Sequence, residues 1–346
     1  MLHIYSLAYS LPTMTTIQKG DTVLVTGATG YIGNHVVEEL VAAGYHVRGT
    51  SRNASKAQFL VDYIEKKYGK GHLEIVDVPD MIDEHAYDEA VKGVSGIVHL
   101  ASVLTFSNVP DEVIPGSVKG TLNILKAATL EPKIKSLVVT SSSTAALIPE
   151  PNKKVVITKD SWNEKVLEAI RTNPSPSPYE VYAASKTEAE KALWQAVKQT
   201  NPPFQVATVL PNANFGHRVR ATGNSTGDWL LDTYNNKENM LSASPPQYFI
   251  NVRDDAKLHV IALTDPACNG DRIFGFADTY SLNKILAILR KLDPSRQFAE
   301  DKDMGEDLTE VPNAEAEALL KKHYGHGFVG LEETIKEGIA PAASEL

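Results

Sequence analysis

The sequence predicts an α/β protein built on a doubly wound parallel sheet, with helices on both faces and a smaller C-terminal substrate-binding part. Three observations carry this expectation. Short apolar runs of strand length alternate with stretches of helical periodicity. The links between them are short over the first half of the chain, which favours crossover connections in one sheet. A glycine triplet, Gly27, Gly30 and Gly33, sits at the first strand-to-helix joint.

The first strand is the apolar run Val23, Leu24 and Val25. The helix that follows carries Ile32, Val36, Val37, Leu40 and Val41 on one face, and Gly44 closes it. A second strand over 46–50 completes a β-α-β unit of the size used for dinucleotides. A tight turn at this joint needs backbone without a Cβ, and a pyrophosphate must approach main-chain N–H groups at the positive end of a helix. The plainer alternative is a glycine-rich turn in some other α/β protein. The strand before and the helix and strand after favour a Rossmann-type nucleotide site.

A helix is expected over 54–68, a strand over 73–77, a loop over 78–81, a short helix near 87–92 and a strand over 96–100. A long helix over 112–130 places Ile114, Val118, Leu122, Leu125 and Ala128 on one face. The strand over 136–140 runs into Ser141, Ser142 and Ser143. An irregular insertion over 152–178 precedes a strong helix over 179–199 and a strand over 205–210 that Pro211 ends. Beyond residue 215 the pattern loosens. Residues 216–227 read as a mobile polar stretch, helices are expected over 229–234, 251–263, 281–292 and 332–337, and a strand near 272–276. The expected organisation is a loose tail (1–16, with Met14 as an alternative start), a dinucleotide-binding domain with the catalytic residues (17–215), and a mainly substrate-binding region (216–346) with some segments returning to the sheet.

The 346 residues carry a net charge of −9, which disfavours a general nucleic-acid partner. Cys268 is the single cysteine, so neither an intrachain disulfide nor a cysteine-based zinc site is expected, and a cytoplasmic setting fits. No apolar run reaches the ~18 residues that span a membrane, and the N-terminus lacks the basic start of a secretory signal. No metal is expected.

Tyr182 and Lys186 lie one turn apart on one helix face. An ammonium near a phenol lowers the phenol's pKa, and such a tyrosine can give a proton to a carbonyl oxygen or take one from an alcohol. The alternative is a surface Tyr/Lys pair; the dinucleotide turn upstream argues against it. Tyr179 has no lysine four residues on and opens the helix. Ser141, Ser142 and Ser143 stand at a strand's carboxyl end, where ligands of open parallel sheets bind, and a hydroxyl there can hold a substrate oxygen. An acidic residue ending the second strand would select NAD. Here Ser51 and Arg52 are followed by Ser55 and Lys56, and cations suit the 2′-phosphate of NADP(H).

These residues resemble the extended short-chain dehydrogenase/reductases. Within that superfamily the chain looks like the dihydroflavonol reductase and cinnamoyl-CoA reductase branch, and it is similar to yeast and fungal NADPH-dependent aldehyde reductases (ketoreductases). Beyond the glycine turn and Tyr182-x-x-x-Lys186, the likeness is carried by residues 47–52, 86–89, 99–103, 140–142, 146–149, 182–190 and 209–212. The resemblance implies that Gly27, Thr29, Gly30, Tyr31, Ile32 and Gly33 cradle the pyrophosphate, and that Arg52 and Lys56 hold the 2′-phosphate. It places Asp80 and Met81 beside the adenine. Ala101, Ser102, Val103 and Thr140 would line the middle of the cofactor, and Pro211 and Asn212 its nicotinamide end. It makes Ser142 the catalytic serine, with Ser143 the alternative. One departure stands out: the family's Asn-Val-x-Gly-Thr is Ser117-Val118-Lys119-Gly120-Thr121 here, so the asparagine of a proton relay is absent.

The expected activity is NADPH-dependent reduction of an aldehyde or ketone, in fungal secondary metabolism or aldehyde detoxification, by a monomer or homodimer. A pocket near 103–106, Phe215 and Trp229 would take the carbonyl substrate. Two alternatives share the fold: a sugar-nucleotide epimerase or dehydratase, and a non-catalytic NADP-sensing regulator. A dehydratase would place an acidic pair directly after the catalytic hydroxyl; Ser143, Thr144 and Ala145 stand there instead.

Overall fold

The computed structural model describes residues 16–103, 105 and 107–345. The expected N-terminal tail, apart from Thr16, and Leu104 and Phe106 of the expected pocket lie outside the described residues.

Strand β1 (Thr22–Thr26), helix α1 (Tyr31–Ala42), β2 (His46–Ser51), α2 (Gln58–Tyr68) and β3 (Leu73–Asp77) form the first half of the sheet. The second half is β4 (Gly96–His99), α3 (Pro110–Leu130), β5 (Ser136–Thr140), α4 (Glu164–Thr172), α5 (Pro178–Thr200) and β6 (Gln205–Pro211). There follow β7 (Ala213–Phe215), α6 (Thr226–Tyr234), β8 (Gln247–Asn251), α7 (Val252–Thr264), β9 (Arg272–Gly275), β10 (Asp278–Tyr280), α8 (Leu282–Leu292), α9 (Asn313–Tyr324) and α10 (Leu331–Ile339). The main sheet has seven parallel strands in the order β3-β2-β1-β4-β5-β6-β9. The order reverses between β1 and β4, and such a switch point opens a crevice at the strands' carboxyl ends.

Strand alternation divides the core. Val23, Val25, Val98, Val138 and Val209 face α1, α2 and α7, meeting Val36, Leu40, Leu60 and Ile261. Leu24, Ile97, Leu137, Val139 and Val206 face α3 and α5, meeting Ile124, Leu125 and Leu193. Helix α5 starts sharply because Ser177 and Glu180 form a capping box, with Pro178 in the first turn. That start sets which α5 residues reach the end of β5.

Five features differ from the sequence expectation. Residues 82–93 form successive turns rather than a helix: Asp80 and Asp83 bind the backbone N–H of Ile82 and His85, and Asn123 Nδ2 donates to the carbonyls of Met81, Ile82 and Asp83. The insertion holds α4, capped by Asn163 and packed through Val166 and Leu167 on Ala183 and Ala184. A second, three-stranded sheet of β10, β8 and β7, in which β7 and β10 are too short to show a period, carries its own core with α6, α8 and α10. Helix α9 was not expected; Ala316 and Leu320 join the core under α7. The stretch 216–227 is tied down: Arg218 donates to the carbonyls of Gly338, Ala221 and Ala340 at 3.1, 2.9 and 2.8 Å.

Candidate active site

The glycine turn is shaped by contact. Gly27 has φ +66°, and a Cβ there would meet the Ala101 nitrogen at 3.0 Å. A Cβ on Gly33 would lie 2.2 Å from the Gly27 carbonyl oxygen, and one on Gly30 would lie 3.2 Å from the same atom. Gly30 caps α1 without a side-chain hydrogen bond, so among the described residues no side chain claims the N–H groups of the first turn, which includes Tyr31, Ile32 and Gly33. The turn is locked to the next loop: Thr26 Oγ1 accepts from the N–H groups of Leu100 and Ala101, each at 3.1 Å, and lies 2.8 Å from His99 Nδ1. Burial pulls the His99 pKa to about 3, so the ring is neutral.

Arg52 and Lys56 are both exposed, one just past β2 and the other in the short turn Ala54–Ala57. Asp80 is exposed and Met81 partly buried, with the Met81 methyl where a Cβ on Gly120 would fall. A narrow cavity at the carboxyl ends of β4 and β5 gathers Met81, Ala101, Ser102, Thr140, Ser141 and Lys186. Val103 leaves this cavity and packs near Gly116. Pro211 pairs with Gly275 at the end of β6, and the Asn212 N–H donates to the Gly275 carbonyl at 3.2 Å. Thr29 lies in the turn itself.

The three serines are separated by their partners. Ser141 Oγ donates to Glu190 Oε2 at 2.7 Å. Ser142 caps the short turn Ser143–Ala145, accepting from Thr144 N at 3.3 Å and Thr144 Oγ1 at 3.0 Å, and hydrogen-bonds the Tyr182 phenol. Ser143 is buried within that turn. Burial raises the Tyr182 pKa, and the Ser142 hydrogen bond opposes it. This reverses the expectation of a lowered phenol. Lys186 Nζ donates to the Thr140 carbonyl at 3.1 Å, and burial lowers its pKa to about 8 against the opposing charge of Glu190. Tyr179 stacks beside Tyr182 with ring centroids 6.4 Å apart.

Sequence reasoning missed the support beneath these groups. Glu190, one turn beyond Lys186, is buried against Arg272 of β9. The one sequence signal was an acidic residue at the same helical spacing after Lys186 as Lys186 after Tyr182. His99 was visible only as the polar residue of an apolar strand.

The seven-stranded parallel sheet, the open helix terminus over the glycine turn and the serine, tyrosine and lysine at the end of β5 define an extended short-chain dehydrogenase/reductase. The chain belongs to the NAD dependent epimerase/dehydratase family, whose model matches residues 23–274. It is 40% identical over 329 residues to Aldehyde reductase 2 of Sporidiobolus salmonicolor, covering 93% of this chain and 96% of that one. It is 35% identical over 332 residues to the ketoreductase adrE of Penicillium rubens, covering 94% and 97%. Among solved structures it is similar to Gre2 of Candida albicans in complex with NADPH, with a TM-score of 0.78 at 26% identity over 92% of this chain and 98% of that one.

Proposed function

We propose that this protein is an NADPH-dependent carbonyl reductase that converts an aldehyde or ketone to the alcohol. The observation that carries the reading is the hydrogen bond between Ser142 and the Tyr182 phenol at the end of β5, with Lys186 anchored on the neighbouring Thr140 carbonyl. The residues fit the cofactor. Among the described residues no side chain caps α1, so its first-turn N–H groups are open to a pyrophosphate, and the close approach of Gly33 to the Gly27 carbonyl lets that turn form.

When bound, NADPH supplies a hydride to the carbonyl carbon. Tyr31 and Ile32 offer backbone N–H groups to the pyrophosphate beside Gly27, Thr29, Gly30 and Gly33. Arg52 and Lys56, both exposed, hold the 2′-phosphate and so favour NADPH over NADH. Asp80 and Met81 flank the adenine, Ala101, Ser102 and Val103 line the middle, and Pro211 and Asn212 fix the nicotinamide end. Ser142 donates to the carbonyl oxygen and orients it. Tyr182, kept protonated by its buried setting, gives its proton to the forming alkoxide. Lys186 holds the ribose and stabilises the phenolate left behind. The substrate belongs to fungal secondary metabolism or to aldehyde detoxification, and the setting is cytoplasmic. Among the described residues, no helix is long and apolar enough to cross a membrane.

The test follows NADPH and NADH oxidation against aldehydes, β-keto esters and aromatic ketones. Turnover with NADPH, lost by about 10²–10⁴-fold in Tyr182→Phe while NADPH still binds, is expected. No turnover with any carbonyl overturns the reading.

A further inference from the structure

Thr140 is the last residue of β5, and it is gripped from both faces of the sheet. From the α3/α5 face, Lys186 Nζ donates to its carbonyl oxygen at 3.1 Å. From the α1/α7 face, His259 of α7 places Nε2 at 2.8 Å from its hydroxyl. Strand alternation dictates the second contact: Val138 faces the α1/α7 core and Val139 the α3/α5 core, so the next side chain turns back toward α7.

The histidine's tautomer follows from its neighbours. Nδ1 lies 2.8 Å from the Asp255 carbonyl oxygen and 3.4 Å from Asp255 Oδ1. Both are acceptors, so Nδ1 carries the proton. Nε2 then faces the Thr140 hydroxyl. His259 and Asp255 are both fully buried, and neither Asp255 carboxylate oxygen has a hydrogen-bond partner among the described residues. The Asp255 carbonyl, one helical turn back, holds Nδ1 and so fixes the ring in the orientation that presents Nε2.

We infer that His259 is a positioning residue for the reaction: through the Thr140 hydroxyl it fixes the end of β5, and so the carbonyl on which Lys186 rests and the start of the turn that carries Ser142. It touches neither substrate nor cofactor in this reading. The inference rests on the reductase reading for the role of Lys186, but its geometry does not.

The test is a double-mutant cycle on the full chain with Thr140→Val, which removes the hydroxyl and keeps the size, and His259→Leu. Three quantities are measured: the NADPH Kd by fluorescence, kcat and KM for one reducible aldehyde, and the unfolding midpoint. Each single variant is expected to lower kcat about tenfold and to raise the NADPH Kd about threefold, with the aldehyde KM little changed. The double variant is expected to lose no more than either single one, because both remove one bond. His259→Gln, whose amide oxygen reaches the place of Nε2, is expected to recover most of the kcat lost in His259→Leu. Losses that multiply in the double variant overturn the inference, as do single variants with unchanged kcat and Kd. If His259→Leu does not fold, Thr140→Val against His259→Gln decides in the same way. Absence of wild-type turnover with every carbonyl counts against the reductase reading alone, and the NADPH-binding cycle then decides this one.

Discussion

Glu190 and Arg272 form a buried, two-pronged ion pair across 82 residues of sequence, with Nε to Oε1 at 2.8 Å and one terminal nitrogen to Oε2 at 3.1 Å. Ser141, Thr208 and Trp194 also donate to this carboxylate, at 2.7, 2.9 and 3.2 Å. Arg272 stacks on Trp162 at 3.9 Å and donates to the carbonyls of Lys159 and Ser161. The pair therefore ties α5, β5, β6, β9 and the insertion together one turn beyond Lys186. Removing one partner strands the other charge in the core. Glu190→Ala is expected to cost about 3–5 kcal/mol in denaturant unfolding, and Glu190→Gln less, since the amide oxygen still accepts. A loss under about 1 kcal/mol for the alanine variant would contradict this account of the core.

The glycine turn separates a glycine the backbone demands from one it only favours. A Cβ on Gly33 meets backbone at 2.2 Å and has nothing soft to displace. Gly33→Ala is expected to lose about 3 kcal/mol or more, or to fail to fold. A Cβ on Gly30 meets the same oxygen at 3.2 Å, which a small shift relieves. Gly30→Ala is expected to fold and to bind NADPH more weakly. Thermal unfolding beside NADPH titration checks the contrast; equal stability of the two variants would refute it.

Coenzyme preference tests the end of β2. Arg52 and Lys56 are exposed and free to meet a phosphate. With Arg52 in its proposed role, Arg52→Ala would remove a charge-assisted contact worth about 1.5–3 kcal/mol, so NADPH affinity is expected to fall by about 10- to 100-fold while NADH affinity holds. Titrating both coenzymes measures this. A parallel loss for both would place Arg52 outside phosphate recognition.

Lys186 makes a pH prediction. Burial lowers its pKa from 10.5 in free lysine to about 8. Between those values the folded chain binds fewer protons than the unfolded chain, so the Lys186 contribution to stability rises as pH climbs through that window. Below about pH 8 the buried ammonium is a cost. Lys186→Met is expected to be more stable than the parent near pH 7, with the gap narrowing toward pH 10. Urea unfolding across this range measures it, and a gap that does not change with pH would sink the prediction.

What the sequence alone determined was local. The β-α-β unit at 23–50 is written in strand-length apolar runs, helical periodicity and glycine spacing, all within about thirty residues. Tyr182 and Lys186 are legible because four residues of α5 are one turn. The small sheet was illegible because β7 and β10 are three residues each, too short to show a period. Helices α4 and α9 were missed because a side-chain cap and a packing partner, not a strong repeat, define them.

Tertiary structure decided the rest. It separated Ser141, which serves Glu190, from Ser142, which meets Tyr182; three adjacent serines carry no such distinction in sequence. It reversed the expected shift of the phenol, because burial depends on what packs around a side chain rather than on its neighbours along the chain. It also brought His259 to Thr140 across 119 residues. Such pairs arise when the sheet brings distant segments together, and no spacing in the chain announces them.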